Sequence, residues 1–327
     1  MMSKRLYVLG NGFDLHHGLK TSYYDFAKFL KKNNSEIYSL LESYVQYPTS
    51  DKDLWSRFEE NLANLNIKDI LEEHSDALPV FSSDAFRDGD RHIFPDIMQQ
   101  HHQKLTTGLF NEFKEFILNV KYTESAFENK LQLDKSATFL TFNYTNTLER
   151  LYNISRNQII YIHNSAFYDD NDIVLGHGIT PERFEEKRPT PPKGLDDEEL
   201  EQWYSDHDNY EYSYDTGKDE IMKYFKDTYK PTKDIIQNHD SFFRNLISVE
   251  EIFVLGHSMS SVDLPYFEQI TKSINPKTKW SVSYYNISER DKHLNTLKIL
   301  NIDRSNISVF ELEDFKQANV QLKIDID

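Results

Sequence analysis

The sequence predicts an α/β fold, doubly wound around a mostly parallel sheet and carrying helical insertions. Seven short runs rich in β-branched and aromatic residues read as strands, at 5–9, 137–142, 158–163, 172–175, 251–255, 280–285 and 307–311. Most are apolar throughout and end in Gly, Asn or His, which suits strands buried on both faces of a parallel sheet. Helical patterns lie between them, the alternation expected of helices packed on both sides of such a sheet.

The first strand, Arg5-Leu6-Tyr7-Val8-Leu9, runs directly into Gly10-Asn11-Gly12-Phe13-Asp14. Glycine carries no Cβ and tolerates positive φ, so a Gly-x-Gly turn lets backbone come close to a phosphate. The third glycine of the dinucleotide fingerprint is missing, and a strand ending in a Gly-rich turn explains the motif equally well. Next, Tyr23, Phe26, Ala27 and Leu30 share one helical face that Ser22 can cap, with Asp25 completing a box-like arrangement. A long helix follows from Phe94 to Val120, within about 125 residues separating the first two strands. Asn146 precedes a helix opening at Thr147-Leu148-Glu149, and Asp263-Leu264-Pro265 opens another, because proline is tolerated in a first turn. The segment 176–250 is a second interruption. Pro189-Thr190-Pro191-Pro192, the run Asp196-Asp197-Glu198-Glu199 and a Tyr-rich stretch from Tyr204 to Tyr229 suggest a loop opening into two or three exposed helices. The layout is a single domain over 1–327, with a helical insertion at about 20–130 and an acidic insertion at about 179–245.

Composition narrows the function classes. Charged residues at 28% and aromatics at 14% mark a folded, soluble chain rather than a disordered one. No apolar stretch approaches the roughly 18 residues of a membrane span, and the start of the chain leaves no room for a signal h-region. Cysteine is absent, which removes disulfides, thiolate nucleophiles and Cys-ligated zinc, and fits a cytoplasmic setting. A net charge of -17 argues against attachment to nucleic acid or anionic lipid. Residues 181–241 hold 17 acidic against 9 basic side chains, which reads as a solvated acidic face.

Four strand ends carry polar or glycine residues beyond the needs of a turn. They are Gly10 to Asp14, Thr141-Phe142-Asn143-Tyr144-Thr145, Tyr161-Ile162-His163-Asn164, and Gly256-His257-Ser258 through Asp263; Leu175-Gly176-His177-Gly178 is placed with them as a fifth. In a parallel sheet all converge on one edge, where open α/β sheets bind ligands. The residues themselves leave alternatives. Asn143 is a ligand contact or a turn former, His163 a base or a satisfied core histidine, and Asp263 a helix cap or an active carboxylate. Ser258 lacks the second glycine of a nucleophile elbow. The adjacent pairs His16-His17 and His101-His102 lack metal-ligand geometry, and no metal site is expected.

The opening block, continuing through His17-Gly18-Leu19-Lys20-Thr21-Ser22-Tyr23 and Phe26, resembles the N-terminal signature of AbiH-type bacteriophage abortive-infection proteins. Phe142 to Glu149, Ile162-His163, and Gly256-His257-Ser258 through Asp263 follow in that family's order. The family is in turn similar to the sirtuin-like, Rossmann-like fold of antiphage NAD hydrolases. The resemblance implies NAD as substrate, with Asn143 and His163 catalytic. It also implies that Gly10 and Gly12 cradle the pyrophosphate, and that Gly256 and Ser258 meet it or the adenosine ribose. Asn11, Phe13, Asp14, Thr141, Tyr144, His257 and Asp263 complete the binding candidates. Two departures stand out. Asn164 replaces the glycine expected after the histidine, and Asp14 would repel a pyrophosphate; its alternatives are a ribose hydroxyl, a turn cap, or a pairing with His16 or Lys20. A toxic activity implies gating by a homo-oligomer or by a phage or host trigger. The competing expectation is a non-enzymatic module that senses nucleotide or binds protein.

Overall fold

The computed structural model describes residues 3–80, 82–168, 172–185, 192–196, 198–199, 202–203 and 211–315. Six strands form one sheet: β1 (Arg5–Leu9), β2 (Thr138–Thr141), β3 (Ile159–Tyr161), β4 (Glu251–Leu255), β5 (Lys279–Tyr284) and β6 (Ile307–Glu311). Their order is β3-β2-β1-β4-β5-β6, and every neighbouring pair is parallel. This is a doubly wound, Rossmann-like arrangement. The chain builds outward from β1 to β3, then returns to the other side of β1 to add β4, so the winding reverses between β1 and β4.

Strand alternation divides the sheet between two cores. Leu6 and Val8 point into one with Leu140, Val254, Trp280 and Val282, covered by Tyr266, Phe267 and Ile270 of the Leu264–Ser273 helix. Tyr7 and Leu9 point into the other with Phe139 and Leu255, beneath Leu148, Leu151 and Tyr152 of the Thr147–Tyr152 helix. Each such fully buried side chain contributes about 1.5–3 kcal/mol, which is why β1 is apolar on both faces.

The helical insertion brings a third core. Phe26 and Leu30 of the Tyr23–Asn33 helix pack with Trp55, Phe58, Phe94 and Phe113. Ser22 accepts the Asp25 N–H at 3.1 Å, as the cap pattern predicts. The long predicted helix forms as Ile93–Gln103 and Leu109–Leu118, joined through a π-turn at Lys104–Gly108. There the Thr106 hydroxyl donates to the His102 carbonyl four residues back, so the helix runs on with a local bulge rather than a break.

Two expectations need correcting. The run 172–175 is not a strand: it is tied to the loop after β3, the Val174 N–H donating to the His163 carbonyl and the Asn164 amide to the Asp172 carbonyl, and Ile173 and Leu175 are buried by side-chain packing instead. The late insertion is not an exposed scaffold over its described helices. Ser213, Gly217 and Ile221 of Tyr212–Met222 are buried, and Ile221, Tyr224 and Phe225 complete the core of the early insertion. Gly217 meets Phe94 so closely that a Cβ there would lie 2.5 Å from its ring. Charge surplus in sequence did not reveal this apolar stripe. Residues 189–191, Asp197 and the stretch 204–210 lie outside the described residues. No helix among the described residues is long and apolar enough to cross a membrane.

At the winding reversal the loops after β1 and β4 touch through backbone. Gly10 N–H donates to the Leu255 carbonyl at 3.2 Å and Gly12 N–H to the Gly256 carbonyl at 2.7 Å. Gly256 has φ +61°, and a Cβ on it would lie 2.1 Å from the Phe13 nitrogen. Gly256→Ala therefore meets both left-handed strain and a backbone clash. It is expected to lower the urea unfolding free energy by at least about 3 kcal/mol. Gly89→Ala, where a Cβ meets nothing within 4 Å, should stay within about 0.5 kcal/mol of the parent in the same titration.

Candidate functional site

The ends of β1 to β5 open into one cleft of about 930 Å³. Of the residues singled out in the sequence, Gly10, Asn11, Asp14, Asn143, Tyr144, His163, His257, Ser258 and Asp263 line it. Gly12, Phe13, Thr141 and Gly256 lie behind its wall. Thr141 Oγ1 accepts the Asn143 N–H at 3.1 Å and fixes that turn, while the Gly256 N–H donates to the Ser283 hydroxyl at 2.8 Å. The motif Leu175 to Gly178 does not line the cleft. His177 instead pairs with the late insertion, its N–H donating to the Thr228 carbonyl at 2.9 Å.

The early insertion supplies the facing wall through Tyr23, Ser56, Arg57, Glu59, Glu60 and Phe113. Ser261 after β4 reaches across, donating to Glu60 at 2.6 Å.

Asp14 is buried, and its carboxylate accepts the hydroxyls of Thr145 at 2.6 Å and Thr147 at 2.7 Å. It ties the loop after β1 to the loop after β2. Burial pushes its pKa from 3.8 to about 6, against the opposing effect of its hydrogen bonds.

His163 and His257 are both buried and face one carboxylate. His163 Nε2 lies 3.7 Å from Asp263 Oδ1, and His257 Nε2 lies 3.8 Å from Asp263 Oδ2. His257 Nδ1 accepts the Met259 N–H at 2.9 Å, so its proton sits on Nε2. His163 Nε2 finds no hydrogen-bond partner among the described residues. Burial holds both rings neutral, His257 down to about 3 and His163 well below the ordinary histidine range. Asp263 heads the Leu264–Ser273 helix without a side-chain capping bond, because its carboxylate is turned toward these histidines and Lys230.

Sequence reasoning missed Glu59 and Lys230. Lys230 is fully buried, pairs with Glu59 and lies 3.4 Å from Asp263 Oδ1; the Tyr23 hydroxyl donates to the other Glu59 oxygen. Burial presses the Lys230 ammonium toward neutrality, but the two carboxylates more than offset this and hold it charged. Neither residue sits in a motif. The one available signal is Phe58-Glu59-Glu60, a carboxylate next to a core phenylalanine.

The family model described as Bacteriophage abortive infection AbiH matches residues 6–284. The chain belongs to the AbiH family. A comparison with curated proteins finds no match. The matched span of this AbiH-family chain contains both insertions and the cleft residues that follow β1 to β4, while those that follow β5, from Tyr285 on, lie beyond it.

The Asp14 environment makes a signed prediction. Its folded pKa is raised, so its stabilising contribution is complete below pH 3.8 and is lost as pH rises through about 6. Asp14→Asn should therefore gain up to about 3 kcal/mol over the parent at pH 7.5 and nothing at pH 4, measured by urea unfolding at both values.

Proposed function

We propose that this cleft binds NAD+ and hydrolyses its nicotinamide–ribose bond, as the effector step of an abortive-infection response. One observation carries the reading: the unpartnered Nε2 of buried His163 shares the cleft with Asn143, at the edge of a sheet whose winding reverses beside the β1 glycine turn. Asn143 orients water against C1′ of the ribose. The water oxygen bonds to C1′, and the C1′–N electron pair passes to the nicotinamide ring nitrogen and cancels its charge. The released proton goes to His163 Nε2 and then to bulk solvent. No strong general acid is required, because the leaving group departs neutral.

The charge of the lining supports this chemistry. Asp14, Asp51, Glu59, Glu60, Asp263 and Glu289 face Arg57 and Lys292. A surplus of carboxylates favours a cationic ring and the positive charge that develops on the ribose as the bond breaks. Asp263, beside His163, also stabilises the imidazolium formed when the ring takes up a proton. The similarity of AbiH proteins to sirtuin-like hydrolases belongs to this same reading.

A second reading, nucleotide binding without turnover, draws on the glycine turn. The Gly10 and Gly12 N–H groups are bonded to protein carbonyls, so they are not free donors for a diphosphate. Infected cells expressing the parent chain, Asn143→Ala or His163→Ala separate the two. The hydrolase reading expects NAD+ loss with nicotinamide and ADP-ribose appearing by mass spectrometry, reduced 10²-fold or more in either variant, together with loss of protection. Intact NAD+ in cells that remain protected would sink it.

A further inference from the structure

Lys230 belongs to the late insertion, lies outside every motif in the sequence, and has its whole surface removed from water. A lone buried ammonium costs several kcal/mol, so its position demands partners. It has two, from different parts of the chain: Glu59 on the early insertion and Asp263 after β4. The backbone around it is held as tightly. Lys230 N–H donates to the His177 carbonyl at 2.8 Å, and His177 N–H donates to the Thr228 carbonyl. This close pairing depends on Gly176, at φ +155°, where a Cβ would lie 1.9 Å from the Thr228 oxygen. The Leu175 to Gly178 motif, which does not reach the cleft, thus fixes the segment that delivers Lys230.

We infer that Lys230 is a positioning residue for the His163 base: anchored on Glu59, it holds the Asp263 carboxylate against His163 and offsets a carboxylate charge, so that the ring stays unprotonated. The inference rests on the hydrolase reading of the cleft. Lys230 sets its positive charge between Glu59 and Asp263; without it, the sites there that can take up a proton are Glu59, which burial already pushes above the ordinary carboxylate range, and His163 Nε2. The other groups facing His163 do not replace the lysine. Tyr144 and Tyr266 are held protonated by burial, and His257 is neutral. His239 acts on the ring from a distance, with its own Nδ1 bonded to the Ile235 carbonyl. Burial first, and then the Lys230 charge, press His163 toward its neutral form.

The test follows the His163 ring itself. Full-length protein labelled with 13C at histidine Cε1 is titrated by NMR, and the His163 signal is assigned by its loss in His163→Gln. Lys230→Met should move the His163 midpoint up by about one pH unit or more, while Lys230→Arg, which keeps the charge, should leave it near the parent value. Should Lys230→Met fail to fold, Lys230→Gln, which removes the charge but keeps a hydrogen-bond donor for the two carboxylates, is expected to give the same upward shift. A midpoint unmoved in whichever of these neutral variants folds overturns the inference. The acid limb of kcat/KM for NAD+ should follow the shift. A moved midpoint in a protein that leaves NAD+ intact supports the charge arrangement and removes the hydrolase reading, so the two failures are distinguishable.

Discussion

The contact between the Gly10–Gly12 turn and Gly256 is the constraint on which the site depends. Two loops leave neighbouring strands at the winding reversal and meet through backbone alone, with Gly12 N–H bonded to the Gly256 carbonyl. Any side chain at Gly10, Gly12 or Gly256 would fall within 3 Å of backbone atoms across the contact. That closeness directs Asn11 and Asp14 to one side of the cleft and His257 and Ser258 to the other. Asn11 then secures the next turn, its amide donating to the Thr21 carbonyl while the Thr21 hydroxyl donates back. A motif that reads as a phosphate cradle thus has a structural task first, the close packing of two strand ends.

The second organising feature is the merger of the insertions. They are separated in sequence by β2, β3 and the loops around them, yet Phe94, Phe113, Tyr224 and Phe225 share one core. Burying these aromatics fixes the Phe58–Asn61 helix and the Tyr229–Pro231 segment against each other. Glu59 and Lys230 meet because of that packing, and Asp263 completes the cluster from the sheet side. The cleft is therefore built half by the sheet edge and half by inserted helices.

This division explains what the sequence revealed. The central strand β1 was legible because a strand buried on both faces is apolar nearly throughout, β5 and β6 because β-branched and aromatic residues alternate with polar ones, and the Ser22 cap and the 94–120 helix because their signals are local. The strand-end residues could be grouped because parallel topology sends them to one edge. Glu59 and Lys230 were not legible, since only tertiary packing joins positions so far apart. Asp14 was legible as important but not as a buried acceptor: its partners Thr145 and Thr147 lie more than 130 residues away. Asp263 looked like a cap because it heads a helix, and the nearby ammonium and imidazoles turned its carboxylate elsewhere.

Stability alone gives little reason for the Glu59–Lys230–Asp263 cluster. Removing three charged groups from water costs about what their mutual attraction returns, and apolar residues of similar volume would fill the space as well. What apolar residues could not do is fix the charge beside two buried imidazoles. Lys230 and Asp263 lie beside rings that burial keeps neutral, one of them with an open nitrogen. A neutral base beside a fixed negative charge accepts a proton when one is released and holds it only briefly, because burial disfavours the charged ring. On the proposed hydrolase reading, the cluster is electrostatics prepared for proton transfer, at the place where the two insertions close over the sheet.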